Sequence, residues 1–304
     1  MRPMIGAITA IAALLAGTTA RAQPPVEKNI VYGMHSGLAL LMDVHRPEKP
    51  NGYGVVHVAG SGWHAPLGYD AEPLKETQID VWGPPLVRAG YTVFAINHRA
   101  APRFRYPAAV EDVQRAVRFV RHNARQLGVD PARLGGIGGS SGAHLVGLVA
   151  MMRAPGIADD ADPVNREPAT LETVVLRAGK FDMAGTPLNG AVVSFLGQPP
   201  QDEAGRKLYA SASPLTHVTP GAPPVLLIHG DADEVVPIGD SVAMEKALLA
   251  ANVPVQLLRV PGGKHGPTFG GAASRRPDWP DYFAATVGWF DRHLKSTTAG
   301  ARPQ

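Results

Sequence analysis

A series of short, almost wholly apolar runs alternates with longer segments of helical spacing, and this alternation restricts the chain to few architectures. The runs are Val55–Ala59, Tyr91–Ile96, Leu134–Gly138, Thr173–Leu176, Pro224–Ile228 and Pro254–Val260. Each is too short for a buried helix and is apolar on both faces, which suits strands inside a parallel sheet. Between them, Ala109, Val110, Val113, Ala116, Val117, Val120, Ala124 and Leu127 recur at helical spacing after Pro107, with Gly128 where a left-handed C-terminal cap belongs. Further helices are expected over Ser141–Met152, buried all round, over Gly239–Ala251 and over Asp281–Leu294, and one helix with a variable loop over Pro66–Ala89. Ile30–Tyr32 and Leu38–Val44 read as an antiparallel hairpin ahead of this pattern. The fold expected is α/β: a mostly parallel central sheet flanked by helices on both faces. Ligands of such sheets sit at the carboxyl ends of the strands, so the loops that leave those ends are where chemistry is sought.

The first residues stand apart. Arg2, an uncharged apolar run from Ile5 to Ala16, and Ala20-Arg21-Ala22 have the form of a cleavable secretory signal over residues 1–22, too short in its apolar part to span a bilayer. One domain is expected over 23–296 and a disordered tail over 297–304. The absence of cysteine excludes disulfides and a lipid-anchored cysteine, and suits a periplasmic or secreted protein stabilised by its core alone. The formal charge is +3, and Arg2 and Arg21 both lie in the leader, so the remainder is near neutral. That balance excludes a nucleic-acid partner, which needs a concentrated basic face. Arg115, Arg118, Arg121 and Arg125 fall on one helix and are read as a solvated face. No stable membrane insertion, cofactor or metal is implied, since no H-E-x-x-H or similar ligand spacing occurs. Oligomeric state is left open.

Gly138-Gly139-Ser140-Ser141-Gly142 spells G-x-S-x-G between an apolar strand and an apolar helix. In that context Ser140 sits on a strained strand-to-helix turn with its hydroxyl exposed, and small neighbours let the turn close. A serine hydroxyl needs a base, and the base needs an orienting group. Of the eleven histidines, His265 lies in a glycine-rich loop directly after the last strand and is the expected base. His144, inside the helix behind Ser140, is read as a packing or supporting group, and His229 as a ligand of its own loop. Asp231 and Asp233 compete as the orienting carboxylate; Asp233, further out on the loop, is preferred, and Asp231 is read as bracing the turn. Donors for an oxyanion are expected from the backbone N–H groups of Ser61, Gly62 and Ser141. Trp63, His64 and Phe104 are candidates for lining the acyl or alcohol side, with packing as the alternative.

These segments together resemble the α/β-hydrolase superfamily, in particular secreted bacterial esterases near the hormone-sensitive-lipase and the feruloyl and xylan acetyl esterase branches. Val55 to Trp63 is similar to an apolar strand followed by H-G-G-G-W, and Asn97-His98-Arg99 with Ala101-Pro102 to N-Y-R-x-A-P. Gly138 to Leu145 is similar to G-x-S-A-G-G-H-L, His229 to Pro237 to H-G-x-x-D-x-x-V-P, and Gly263 to Gly266 to G-x-H-G. The resemblance implies an α/β-hydrolase fold, a Ser140–His265–Asp233 triad, and cleavage of short-chain, aryl or sugar-linked carboxylic esters. An amide- or peptide-cleaving hydrolase of the same fold and a non-catalytic binding protein are the alternatives. Two positions depart from the pattern: Ala59 stands in place of a histidine that braces the loop, and Ser61 in place of the middle glycine. No large cap domain is expected, and Phe181 to Pro214 is expected to form a partial lid or pocket wall.

Overall fold

The structure is a computed structural model and describes residues 26–65, 68, 70–185, 190–270 and 279–295. The expected leader and tail lie outside the described residues, as do residues 186–189 of the expected lid.

Strands β1 (Val26–His35) and β2 (Leu38–His45) form the antiparallel hairpin. Ser36 and Gly37 close it with φ of 46° and 82°, the left-handed pair that matches the twist of a two-residue turn. The chain then alternates: β3 (Gly54–Val58), α1 (Ile79–Arg88), β4 (Thr92–Ile96), α2 (Ala108–His122), α3 (Ala124–Leu127), β5 (Leu134–Gly139), α4 (Ser141–Met152) and β6 (Thr173–Arg177). It continues through α5 (Gly190–Leu196), α6 (Glu203–Ser211), β7 (Val225–Gly230), α7 (Gly239–Ala250), β8 (Val255–Val260) and α8 (Tyr282–Leu294). The strands form one sheet in the order β1-β2-β4-β3-β5-β6-β7-β8, parallel from β4 to β8 and antiparallel where the hairpin joins at β2. Strands β3 to β7 are buried along their whole length, as their continuous apolar runs require.

Each face of the sheet carries its own core. On one, Val110, Val113 and Val117 of α2 pack with α4, which is buried all round. On the other, Trp82 and Leu86 of α1 pack with Trp289 and Phe290 of α8. Among the described residues no helix is long and apolar enough to cross a membrane. The segment after β6 does not stand off as a cap: Phe181, Val192, Phe195 and Tyr209 are buried in the α2–α4 core.

Two expectations about the long helix need correction. It is broken at Asn123, and the last turn is the separate α3, capped by Gly128 at φ 71°. Its arginines, Arg125 apart, do not form a solvated face. Arg118 donates to the carbonyls of Pro155 and Glu167, each at 3.0 Å, and Arg121 to those of Pro131, Pro168 and Thr170. Arg115 bonds Tyr32 O and the Asn165 side chain and pairs with Asp162. The irregular segment between α4 and β6 has no sheet ladder to satisfy its carbonyls, and these guanidinium forks supply the donors.

The fold also buries histidine in neutral form. His57, on central strand β3, is 1% exposed and neither ring nitrogen has a hydrogen-bond partner. Burial, with the charges of Arg177 and His45, pushes its pKa down to about 3. The folded value lies below the unfolded one of about 6.5, so stability is complete above about pH 6.5 and declines as pH falls toward the folded value. His57→Leu orphans no partner, so its advantage over the wild type should grow on acidification by about 2 kcal/mol between pH 7 and about pH 5. Urea unfolding across that range checks this; a constant difference would contradict it.

Candidate active site

Ser140 sits at the junction of β5 and α4 with φ 51° and ψ −122°, a conformation that an L-residue holds only when its surroundings fix it. Ser140 N–H donates to Arg177 O on β6 at 2.7 Å, and His144 N–H donates to Ser140 O at 3.1 Å. The turn also fits only where side chains are absent. A Cβ on Gly142 would lie 2.2 Å from Val58 O, and one on Gly60 would lie 2.6 Å from Gly139 O. Backbone strain is concentrated here: Trp63, Gln78 and Ala178, all near Ser140 in the fold, have φ of 61°, 62° and 47°.

His265 follows β8 and reaches across to Ser140, with Nε2 at 3.0 Å from Oγ. Its Nδ1 lies 2.7 Å from Asp233 Oδ2. An ionised carboxylate only accepts, so Nδ1 carries the proton and Nε2 is left to accept the Ser140 hydroxyl. Asp233 is held on every side: Oδ1 accepts from Val235 N–H and Val236 N–H, both at 2.9 Å, and His229 Nε2 stands 3.3 Å from Oδ2. Burial alone would raise its carboxyl, but hydrogen bonds from His229, His265 and Val236 outweigh burial and hold it well below the usual carboxylate range. Asp231 is exposed and accepts from Gly262 N–H at 2.6 Å, so it braces the turn.

The other histidines do support work. His229 Nε2 donates to Val236 O at 2.8 Å, and its Nδ1 accepts from Ser241 Oγ at 2.7 Å. His144 donates through Nε2 to Ala212 O at 2.7 Å and accepts from Trp63 Nε1 at 3.0 Å. Burial pushes it down to about 4 despite the Ala212 bond, so it stays neutral.

The loop after β3 borders a cleft of about 300 Å³ in front of Ser140. Ser141 begins α4, so its N–H has no acceptor one turn back and faces forward. Ser61 differs from the expectation of a free donor: its N–H is bonded to Ser141 Oγ at 2.8 Å. The loop is also held by Gln78, whose side-chain amide faces both polar atoms of Gly60, accepting from N–H at 3.5 Å and donating to O at 3.3 Å. A glutamine on the neighbouring segment thus braces the loop that Ala59 leaves without a preceding histidine.

The three expected substrate contacts lie elsewhere. Trp63 is 4% exposed, stacks on Phe195 at 5.0 Å and bonds His144. His64 bonds Gly62 O and Ser194 Oγ, and Phe104 packs edge-on against His35 of the hairpin. None of them lines the cleft. Its wall instead includes Gln78, Arg177 and Val235, which sequence reasoning passed over. A signal for Arg177 existed: it is the one charged residue of an otherwise uncharged, buried strand, placed at the carboxyl end where ligands bind. Gln78 had none, since its place depends on how α1 packs. Among the described residues no group of three or more His, Asp or Glu side chains could hold a metal ion.

The BD-FAE family model matches residues 42–248, more than half of the sequence. The chain belongs to the BD-FAE family. This BD-FAE chain is similar to the esterases LipQ and LipC of Mycobacterium tuberculosis, at 32% identity over 257 residues and 30% over 250 residues. The alignments cover 78% and 79% of this chain but only 56% and 59% of those relatives. Among solved structures, a truncated carbohydrate esterase from gut microbiota superposes with TM-score 0.72 at 25% identity, over 90% of this chain and 98% of its own. The BD-FAE chain therefore has the α/β-hydrolase fold.

Proposed function

We propose that this BD-FAE chain is an exported serine hydrolase of carboxylic esters. The observation that carries the reading is the position of His265, hydrogen-bonded to Ser140 Oγ through one ring nitrogen and to the buried Asp233 through the other. Ser140 Oγ attacks the ester carbonyl carbon while His265 Nε2 takes its proton. The tetrahedral oxyanion is received by the N–H groups of Gly62 and Ser141, while Ser61 N–H stays on the Ser141 hydroxyl and holds the loop in place. As the intermediate collapses, the C–O bond to the alcohol breaks and His265 returns the proton to the departing oxygen. Water, deprotonated by His265, then releases the acid from Ser140.

Short-chain, aryl and sugar-linked esters are the proposed substrates. The names of the esterase relatives and of the carbohydrate esterase neighbour support that range. Export, with cleavage after Ala22, is supported by the leader-like composition of the first residues.

The test is turnover of para-nitrophenyl acetate and butyrate and of acetylated xylo-oligosaccharide, with mass spectrometry after treatment with a fluorophosphonate. Turnover of at least one ester and a single phosphonyl adduct on Ser140 are expected. Absence of both turnover and adduct would sink the reading.

A further inference from the structure

One charged group on the cleft wall has no part in that reaction. Arg177, the last residue of β6, is 2% exposed and lines the cleft in front of Ser140. Its guanidinium runs beside Gly139, where a Cβ would fall 2.6 Å from Nη2. One face stacks on Trp82 with Cζ at 3.9 Å from the ring centre.

Its polar atoms are poorly used. Nη2 meets Gln78 Oε1 only at 3.4 Å, and Nε is buried without a hydrogen-bond partner. Other buried cations are better matched: Arg118 and Arg121 fill their donors with backbone carbonyls, and three more hold a carboxylate. Lys75 pairs with Asp43 at 2.7 Å, Arg99 with Asp112 at 2.8 Å, and Lys180 with Asp240 at 3.2 Å. Arg177 has no such carboxylate among the described residues. Burial pushes its pKa down to about 9 against a favourable influence from Tyr282, so it remains charged at neutral pH. Holding a guanidinium out of water with no counter-charge is costly, and neither the stack on Trp82 nor one long bond to Gln78 offsets that cost. A fork of donors of this kind matches a carboxylate in a two-pronged contact.

We propose that Arg177 is the recognition group for a carboxylate carried by the substrate, and that the Ser140 cleft takes acidic esters in preference to uncharged ones. This rests on the hydrolase reading above. The charge can lie on the acyl half or on the alcohol half of the ester, and two substrate pairs separate the cases. Para-nitrophenyl hemisuccinate against para-nitrophenyl butyrate places it on the acyl half. The acetate of para-hydroxybenzoic acid against that of its methyl ester places it on the alcohol half.

The wild type is expected to favour the acidic member of one pair by roughly 10- to 100-fold in kcat/KM. Arg177→Gln should abolish that preference and Arg177→Lys should keep part of it. A purely structural role, propping Gln78, would instead lower both members of each pair alike. Overturning results are a wild type that hydrolyses uncharged esters with no acidic preference in either pair, or an Arg177→Gln variant that keeps the wild-type ratio or loses both members equally. The wild-type ratio stands even where a variant fails to fold. A wild type inert toward every ester would instead remove the hydrolase reading, and this inference with it.

Discussion

Replacing Ser140 by alanine is expected to lower kcat for a short-chain aryl ester by roughly 10⁴- to 10⁶-fold, with KM changed only a few-fold. Alanine keeps the backbone, the N–H groups proposed to receive the oxyanion and the whole cleft wall, so substrate binding survives. What disappears is the hydroxyl oxygen that stands 3.0 Å from His265 Nε2. The adjacent Ser141 cannot substitute, because its hydroxyl is 2.8 Å from Ser61 N and is turned into the loop after β3. Folding should be unimpaired: the bonds that fix residue 140 in its strained conformation are made by backbone atoms, Ser140 N–H to Arg177 O and His144 N–H to Ser140 O. Steady-state kinetics with a thermal melt as control check this. A variant that retains more than about a hundredth of wild-type kcat would show that the attacking group lies elsewhere.

The parts of the site that were legible in the sequence are those where local chemistry leaves one solution. Glycines around Ser140 are such a case, since Gly142 has Val58 O where a Cβ would go. Strands β3 to β7 were legible because burial on both faces demands continuous apolar runs, and their ends fall within a residue or two of the expected ones. The aspartate pair was separable by position along the loop: Asp231 bonds Gly262 N–H and Asp233 bonds His265. What the sequence hid depends on packing between distant segments. Trp63 directly follows Gly60-Ser61-Gly62, yet its left-handed backbone turns the ring into the core against Phe195 and His144. The arginines of α2 have helical spacing that suits a solvated face, but the irregular segment between α4 and β6 folds over them. Gln78 reaches Gly60 from a segment 18 residues away, and no local pattern marks it. Arg177 differs from these: the parallel register of β5 and β6 sets it beside Gly139.

Asp233→Asn should reduce kcat by about 10³- to 10⁴-fold at neutral pH, whereas Asp231→Asn should stay within a few-fold. The asparagine oxygen can still accept from the N–H groups of Val235 and Val236, which orients the amide. Its NH₂ group then takes the place of Oδ2, 2.7 Å from His265 Nδ1. A donor there forces Nδ1 to accept, the ring proton moves to Nε2, and His265 faces the Ser140 hydroxyl as a donor that cannot take its proton. The same NH₂ group meets the Nε2–H of His229, which stood 3.3 Å from the carboxylate, so two donors oppose each other in a buried space. The substitution therefore costs stability as well as rate, and the cost depends on pH. The native carboxyl is held below its unfolded value of about 3.9, so its contribution is complete above that pH and is lost as pH falls through the lower folded value. The gap in unfolding free energy between wild type and Asp233→Asn should be widest near neutrality and should close below about pH 4. Asp231, exposed and bonded only to a turn, gives neither effect, and equal losses in the two variants would return the orienting role to an open choice between them.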